Sequence, residues 1–453
     1  MLADRNSIMQ EKSHSHLGVT RRSFLDQTAG TLGAAAVALT SASVHQSQAA
    51  EDNPAKVRVA VMGVNDRGRS LVKRFLAFPQ VEVAYLCDPD AAVIPQVAQN
   101  VVEQSGKSPK VVKDFRVALD DPSIDALVCA APDHWHALAT ILACQAGKDV
   151  YVEKPASLTL AEGRLMVQAA RRYQRVVQTG TQRRSAADFK AAVELVRSGR
   201  MGKVYMAHAR QSKGRPDIGK QSVVAPPPSL DFDQWCGPAP NNGYKKNLVH
   251  YNWHWRWDYG SGDCGNLGVH ALDVVRWVMD LEYPRTVSAG GGNFAFDDDM
   301  ETPDTQSATF DFDNASVLWD NRMWAEATPA NWITFYGTEG RLECGEFGWN
   351  LYRGDQVIES HAALTYTLAD LAHVENFLEC IATRQQPNAD IEIGHRSAAL
   401  AHLANIAYRT RSTLQFDQHT ESIVGNAPAN ELLRRNYRTD FDGSQVLASN
   451  ASP

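Results

Sequence analysis

The sequence of 453 residues contains no cysteine pair at CxxC spacing and no Cys/His cluster with the spacing of a zinc site. Its seven cysteines are scattered, so we expect mostly buried free thiols. A long basic run is also missing, and the formal net charge is -7, which argues against nucleic acid or an anionic membrane surface as a partner. After the first fifty residues, no stretch approaches the length of a transmembrane helix.

The first fifty residues indicate an export signal. Residues 20–25 read TRRSFL, a twin-arginine pattern, and a mildly apolar stretch follows over residues 28–44. Residues 47–49 then offer a small-x-small cleavage site. A membrane anchor is the alternative interpretation, but the apolar stretch is short and rich in small residues. We therefore predict a signal peptide over residues 1–50, export by the twin-arginine machinery and a periplasmic location.

The rest of the chain has the composition of a soluble globular protein, with 44% hydrophobic and 21% charged residues. Its length favours two domains. Over residues 55–180, short apolar strands alternate with helices, and Thr159 and Glu162 form a capping box at the start of one helix. This alternation predicts an α/β domain in which helices cover both faces of a parallel sheet.

The pattern changes after residue 180. A helix and a strand lead into an irregular, proline-rich stretch over residues 212–249, and several strand-like runs and two helices follow. We predict a second domain over residues 181–417, an α/β (α+β) domain with an open, mostly antiparallel sheet. Its last helices could pack back on the first domain. Residues 418–453 are predicted to be a polar tail.

A glycine-containing turn follows the first predicted strand. Residues 63–68 read GVNDRG, which fits the GxGxxG pattern of dinucleotide-binding (Rossmann) domains with Asn65 at the middle glycine position. Gly63 allows the tight turn, and Gly68 lets the helix pack close to the sheet. Asn65 is tolerable because Asn adopts positive φ more readily than most residues. The start of the helix is then a phosphate site.

Asp88 ends the second predicted strand, 20 residues after Gly68. An acid at this place accepts hydrogen bonds from the adenosine ribose and repels a 2′-phosphate, which favours NAD over NADP. The alternative to a dinucleotide site is a structural glycine turn in some other α/β fold.

Two further motifs carry chemistry. Lys154, in the run EKP over residues 153–155, follows a predicted strand at the sheet edge that binds ligands. Asn266 and His270 are four residues apart and share a helix face, and Asp273 could orient the His270 ring. On spacing alone, Lys154 is as well explained as a surface lysine in a turn, and His270 is better explained as a core histidine.

These residues together resemble the Gfo/Idh/MocA oxidoreductases, the glucose-fructose oxidoreductase and inositol dehydrogenase group. The resemblance covers about residues 57–416. It rests on the turn at 63–68, Asp88, and the runs PDHWH (132–136), EKP (153–155), QTG (178–180) and GDCGNLGVHALD (262–273). It implies a Rossmann domain, a second domain whose open sheet often forms an oligomer interface, and hydride transfer between NAD(P) and a carbohydrate or polyol hydroxyl.

The resemblance also assigns roles. Lys154 matches the family's active-site lysine and His270 its catalytic histidine, whereas Asn266 stands where many members carry Asp. Asn266 binds a hydroxyl but cannot take its proton, so Asp263 or Asp273 could partly replace that carboxylate. The predicted cofactor-binding residues are Gly63, Asn65, Arg67, Gly68, Asp88, Pro132, His134, His136, Glu153 and Lys154. No third ligand accompanies the two histidines of residues 134–136, so we predict no metal site.

Substrate contacts are predicted beside the catalytic histidine. Residues 250–257 read HYNWHWRW, and aromatic faces stack on sugar rings. Three tryptophans at alternate positions indicate one shared face, which could equally be core. The predicted substrate-binding residues are Asn266, Asp273, Trp255, His254 and Arg184, and Arg183 and Lys213 are weaker candidates.

The sequence thus predicts an NAD-dependent oxidoreductase acting on a hydroxyl-bearing carbon of a sugar, glycoside or polyol. Because free NAD is not supplied outside the cytosol, we expect an exported enzyme to hold its NAD tightly. Two alternatives remain. One is an NAD-dependent glycosidase that works by transient oxidation and elimination, and the other is a non-catalytic sugar- or NAD-binding protein. The expected partners are a small carbohydrate or polyol and further copies of the chain, because the resemblance implies a homo-oligomer.

Overall fold

A computed structural model describes residues 56–324 and 331–438. The twin-arginine pattern, the cleavage site and the end of the polar tail lie outside these residues. No helix in the described ranges is both long enough and apolar enough to cross a membrane. All seven cysteines are free and buried, as the sequence predicted.

The first sheet has six parallel strands in the order β3-β2-β1-β4-β5-β6. Its central strands are mostly apolar because helices cover both faces. The strands are β1 (Val57–Met62), β2 (Val81–Cys87), β3 (Lys110–Val112), β4 (Ala126–Cys129), β5 (Asp149–Val152) and β6 (Val177–Thr179). The alternation of strands and helices therefore predicted the Rossmann sheet correctly, although the short edge strand β3 was missed.

Five helices follow these strands in turn. They are α1 (Arg67–Phe75), α2 (Ile94–Ser105), α3 (Arg116–Leu119), α4 (Asp133–Gln145) and α5 (Leu160–Arg172). The capping box of α5 is present, since the Thr159 side chain accepts from the Glu162 amide and the Glu162 side chain accepts from the Thr159 amide. This pairing satisfies backbone donors at the helix start.

The second sheet has ten strands in the order β14-β13-β12-β11-β7-β10-β9-β8-β15-β16. Only β10 and β7 pair in parallel, so the prediction of an open, mostly antiparallel sheet is confirmed for the described residues. The strands are β7 (Val204–Ser212), β8 (Thr286–Gly292), β9 (Thr305–Asp311), β10 (Ser316–Arg322), β11 (Asn331–Gly337), β12 (Arg341–Gly345), β13 (Gly348–Arg353), β14 (Gln356–Ala362), β15 (Leu414–Asp417) and β16 (Ser422–Ile423).

The described part of the second region contains the helices α6 (Ala187–Arg197), α7 (Phe232–Cys236), α8 (Val269–Met279), α9 (Tyr366–Thr383), α10 (Ile391–Thr410) and α11 (Ala427–Glu431). Of these, α6, α8 and α10 contact the second sheet and bury its core. Helix α9 packs back on the first sheet, where Phe377 contacts Phe75 and Tyr151 edge to face.

The predicted polar tail is wrong for residues 418–438. Strand β16 and helix α11 lie there, and Arg435 pairs with buried Glu162 at 2.8 Å. Long-range pairing of this kind leaves no periodic signal in a short polar segment.

Candidate active site

A cleft opens at the carboxyl ends of the first sheet, where ligands bind in open α/β folds. The opposite wall of the cleft is formed by the second region of the chain, mainly by the segment that precedes α8. The residues lining this cofactor cleft include Gly63, Asn65, Arg67, Asp88, Pro132, Asp133, His136, Glu153, Lys154, Trp235, Tyr251, Trp253, His254, Asn266, His270 and Tyr366. The cleft therefore brings most of the sequence-predicted site residues together.

The glycine turn has the shape that the sequence predicted, with one correction. Gly63 has φ +77°, and a Cβ there would lie 2.7 Å from Ala130 O. A Cβ on Gly68 would collide with the Gly63 carbonyl. The positive φ inside the turn falls on Asp66 (37°) and not on Asn65, whose Oδ1 accepts from Arg69 at 3.2 Å. The Asn65 side chain is thereby held beside Arg69.

The turn also presents features that fit a dinucleotide. The backbone amides of Asn65, Asp66 and Arg67 have no acceptor among the described residues, as a phosphate site at a helix start requires. Asp88 accepts from the Val64 amide and the Asp90 amide, both at 2.9 Å. The carboxylate thereby stabilises the turn, and it can still accept further hydrogen bonds from a ligand in the cleft.

A buried ion network fixes Glu153 beside Lys154. Arg67 donates to Glu153 Oε1 at 2.7 Å and to both oxygens of Asp370 at 2.9 and 3.0 Å. Burial by itself raises the pKa of Glu153, but Arg67 and then Lys154 outweigh it, so the pKa is lowered. The carboxylate stays charged because it is paired. Arg67 and Glu153, both predicted to contact the cofactor, thus also hold each other in the cleft wall.

The Lys154 ammonium lies against Asn266. Its Nζ donates to the Asn266 carbonyl oxygen at 2.9 Å and to Asn266 Oδ1 at 3.0 Å. Burial lowers the pKa of Lys154, against the opposing effects of Glu153 and Asp133. The Lys154–Pro155 peptide bond is cis. A lysine with three donors and two protein acceptors keeps one N–H for a ligand oxygen.

Asp263 stands behind Asn266. The Asn266 Nδ2 lies 3.3 Å from Asp263 Oδ1, which also accepts from Arg215 at 3.0 Å. Arg215 in turn donates to the Tyr251 hydroxyl at 2.6 Å. Of the two acids left open by the sequence, Asp263 is therefore the one beside the Lys154–Asn266 pair. The sequence did not indicate Arg215, which reaches the site through tertiary contacts, and it indicated Tyr251 only as part of the aromatic segment 250–257.

The other acid, Asp273, lies elsewhere, and the expectation that it orients His270 is not met. Arg184 Nε is 2.9 Å from both Asp273 oxygens, and Ser397 donates to Asp273 at 2.7 Å. Neither Arg184 nor Asp273 lines the cofactor cleft. Asp273 faces α10, where Ser397 lies, instead of the cleft. The two predicted substrate contacts thus form a buried ion pair.

His270 is half-buried in the cleft wall, and its ring has no hydrogen-bond partner among the described residues. Burial lowers its pKa well below the ordinary value, and the positive charges of Lys154, Arg183 and Arg67 act in the same direction. The imidazole is therefore neutral near pH 7. A neutral imidazole with open nitrogens can accept a proton.

Asp133 is a site residue that sequence reasoning missed. It begins α4, is 2% exposed, and accepts from the Ser261 hydroxyl at 2.8 Å. Burial raises its pKa to about 7, against the opposing effects of Ser261 and Lys154. The signal available in the sequence was its place in the run PDHWH, where the two histidines drew attention instead.

The two histidines of that run separate. His136 lines the cleft, and its ring nitrogens lie 2.7 Å from Pro155 O and 2.9 Å from Ala131 O. His134 does not line the cleft, since its Nε2 lies 3.0 Å from Trp235 O in an aromatic cluster. The prediction of a cofactor contact for His134 therefore receives no support. Within the described residues, no group of three or more His, Cys, Asp or Glu could hold a metal ion.

The tryptophans of residues 250–257 do not share a face. His254 stacks on Trp253 with ring centroids 3.6 Å apart, and both line the cleft. Trp255 is 1% exposed and packs on Met300 and Met323, so it belongs to a core cluster and does not line the cleft. The segment forms a 3₁₀ turn over Asn252–Trp255, and its period of three sends alternate residues in different directions.

Comparison with known proteins agrees with this architecture. Residues 57–181 match the family model for the NAD-binding Rossmann fold of the Gfo/Idh/MocA oxidoreductases, and residues 209–443 match the model for their C-terminal alpha/beta domain. Among curated proteins, glycosyl hydrolase family 109 protein 1 of Shewanella sp. (strain ANA-3) is 34% identical over 123 residues. That match covers 26% of this chain and 27% of the relative, so the chain spans about a quarter of its length.

Two solved structures illustrate the shared fold. The WlbA dehydrogenase of Bordetella pertussis, solved with NADH and UDP-GlcNAcA, has 19% identity and a TM-score of 0.62, with 80% of this chain and 99% of that chain covered. The aldose-aldose oxidoreductase of Caulobacter crescentus, complexed with glycerol, has 20% identity and the same TM-score, with 80% and 100% covered.

Proposed function

The chain belongs to the Gfo/Idh/MocA oxidoreductase family and carries its NAD-binding Rossmann fold, and we propose that it transfers hydride to or from a hydroxyl-bearing carbon of a sugar, glycoside or polyol. The observation that carries this proposal is the shared cleft. Lys154, Asn266 and His270 line the same cleft as the glycine turn and Asp88. The residues that can move a proton therefore lie next to the proposed dinucleotide site.

Bound NAD supplies the hydride acceptor or donor. The neutral His270 ring takes the hydroxyl proton as the substrate is oxidised. Lys154 donates its remaining N–H to the substrate oxygen and stabilises the negative charge that develops there. Asn266 positions Lys154, and Asp263 in turn orients the Asn266 amide.

The residues that would hold NAD are the free amides of residues 65–67, for phosphate, and Asp88, for the ribose hydroxyls. We further propose that the cofactor is resident. The twin-arginine pattern at residues 20–25 supports export of a folded, loaded protein to the periplasm. Replacing Arg21 and Arg22 by Lys should then leave the protein in the cytosolic fraction.

One experiment tests the proposal directly. The purified protein is denatured, and the mass of any released nucleotide is measured. Intact protein is then incubated with sugars, glycosides and polyols without added NAD, while NADH fluorescence is followed. We expect NAD to be released on denaturation and NADH to form with at least one compound. If no nucleotide is released and no NADH forms, even after NAD is added to the same incubations, the oxidoreductase function is rejected.

A glycosidase is the second candidate, and the name of the curated relative supports it. Transient oxidation of a sugar ring acidifies the neighbouring C–H, so a leaving group can be eliminated before the hydride returns. The same incubations separate the two activities when their products are also analysed for glycoside cleavage and keto-sugars. Cleavage of a glycoside without net NADH formation indicates the glycosidase, and accumulation of a keto-sugar indicates the oxidoreductase.

A further inference from the structure

A second cavity adjoins the cofactor cleft on the side of the second sheet. Leu267, His270 and Tyr366 line both cavities. The sheet-side pocket is lined in addition by Gln182, Arg183, Asp188, Phe189, Gln211, Lys213, Trp332 and Glu346. Its volume of about 650 Å³ lies in the range of small-molecule sites, roughly 300–1,000 Å³. A ligand in this pocket would therefore reach the His270 ring.

Several buried polar atoms in this pocket have no hydrogen-bond partner among the described residues. Gln182 is 1% exposed, yet neither Oε1 nor Nε2 of its amide has a hydrogen bond. Asp188 Oδ1 and His270 Nδ1 are buried and unpartnered as well. Buried polar atoms are normally hydrogen-bonded, and an orphan costs free energy unless something from outside the chain satisfies it. Four such atoms belong to residues that line this one pocket, and the hydroxyl groups of a bound ligand would satisfy them.

Arg183 adds unpaired donors. Its guanidinium lies 4.2 Å from the Trp332 ring centroid and 5.3 Å from that of Phe189, and it makes no hydrogen bond or ion pair among the described residues. Stacking on the ring faces leaves the N–H groups at the edge of the guanidinium available.

The charges of the pocket balance. Arg183 and Lys213 contribute two positive charges, and Asp188 and Glu346 contribute two negative charges. A site for a phosphate or carboxylate would hold an excess of cations. Hydroxyl groups both donate and accept, so a mixture of amide, carboxylate and guanidinium suits them.

We infer that the sheet-side pocket binds an uncharged saccharide and that Gln182 is a specificity-determining residue, whose amide donates to one hydroxyl and accepts from another. The inference rests on the proposed function and narrows its substrate class. Sugar acids, sugar phosphates and nucleotide sugars add negative charge that Asp188 and Glu346 oppose and that Arg183 and Lys213 only balance, so the pocket gives them no net electrostatic attraction and disfavours their desolvation.

Wild-type protein tests the substrate class without any substitution. The protein is prepared with its cofactor in the reduced NADH form, so that a hydroxyl substrate binds without being oxidised, and affinities are measured by calorimetry. The probes are matched sets: D-glucose, D-glucuronate and D-glucose 6-phosphate, then D-galactose and D-galacturonate. We expect the neutral member of a set to bind at least tenfold more tightly than its charged counterparts. Tighter binding of a charged member, or binding of no member, overturns the inference.

Gln182→Met tests the residue, with Gln306→Met as the matched control. Gln306 is equally buried, but its amide donates to Asn405 at 3.2 Å and does not line the pocket. For Gln182→Met we expect at least a tenfold loss of neutral-sugar affinity and an unchanged or higher Tm, since no internal hydrogen bond is lost. For Gln306→Met we expect a lower Tm and unchanged affinity. A lower Tm with unchanged affinity in Gln182→Met would assign Gln182 a purely structural role.

These outcomes are distinguishable from failure of the proposed function. That function fails when the protein neither holds nor turns over NAD. The inference on Gln182 fails when turnover persists but the Gln182→Met protein binds and oxidises neutral saccharides as the wild type does.

Discussion

Lys154 Nζ lies 2.9 Å from the main-chain oxygen of Asn266 and 3.0 Å from its side-chain oxygen, across 112 residues of sequence. One residue thus provides both protein acceptors of this lysine. The contact joins the carboxyl end of β5 to the segment that leads into α8, and it places the ammonium beside the His270 ring in one cleft.

Lys154→Met should reduce kcat by roughly 10²–10⁴-fold, the usual contribution of a positioned proton-handling or charge-stabilising group. NADH affinity should change little, because the glycine turn and Asp88 are the residues proposed to hold the cofactor. Fluorescence titration and steady-state rates measure the two effects. Lys148→Met is the matched control: Lys148 is also buried, but it donates to the carbonyls of Asp121 and Ile124 outside the cleft. Full turnover by Lys154→Met would remove Lys154 from the mechanism.

Asn266→Asp should move the alkaline limb of the pH–rate profile to higher pH. The substitution adds a carboxylate 3.0 Å from Lys154 Nζ, which favours the ammonium form and raises the pKa that burial lowers in the wild type. Activity that needs charged Lys154 is then retained to higher pH. The profile of kcat/KM measures the shift, with Asn247→Asp as a control outside the cleft. An unchanged alkaline limb would mean that Lys154 does not titrate in it.

How far the sequence could predict the structure depended on the range of the interactions. The bounds of β1, β2 and β5 follow from largely apolar runs that end before Gly63, Asp88 and Glu153, and the Thr159 capping box is contained in four residues. The second sheet was recognised as mostly antiparallel, but the hairpin β13–β14 was missed because its outer strand is exposed and carries few apolar residues.

For the candidate site too, residues in local motifs could be predicted and partners distant in sequence could not. Local motifs placed Gly63, Asp88, Lys154 and His270 in one cleft. Ion pairs between residues far apart in the sequence could not be predicted from it: Arg67 and Asp370 are 303 residues apart, and Arg184 and Asp273 are 89 apart. The unsatisfied Gln182 amide could be recognised only after folding had shown which buried groups lack partners.

Asp133→Asn should reduce the loss of stability at rising pH. The folded-state pKa of Asp133, about 7, lies above the unfolded value near 3.9. The contribution of Asp133 to the free energy of unfolding is therefore fully present below about pH 4 and is lost as the pH rises through 7. A shift of roughly three units corresponds to at most about 4 kcal/mol. Denaturant unfolding at pH 5 and pH 8 measures the difference. The free energy of unfolding should fall less in Asp133→Asn than in the wild type. An equal fall in both proteins would show that Asp133 is ionised without penalty.

Asp273→Asn should lower stability and leave substrate binding unchanged, whereas His270→Gln should lower kcat and leave stability almost unchanged. Asp273 is 1% exposed, pairs with Arg184 and accepts from Ser397, so weakening this pair leaves a buried guanidinium uncompensated, at a cost of about 3–5 kcal/mol of folding free energy. KM should be unchanged, because neither Arg184 nor Asp273 lines the cleft. His270→Gln should lower kcat by roughly 10²–10⁴-fold with little change in Tm, since the ring has no partner to lose among the described residues. If Asp273→Asn instead lowered kcat and left Tm intact, Asp273 would regain a role in orienting the His270 ring.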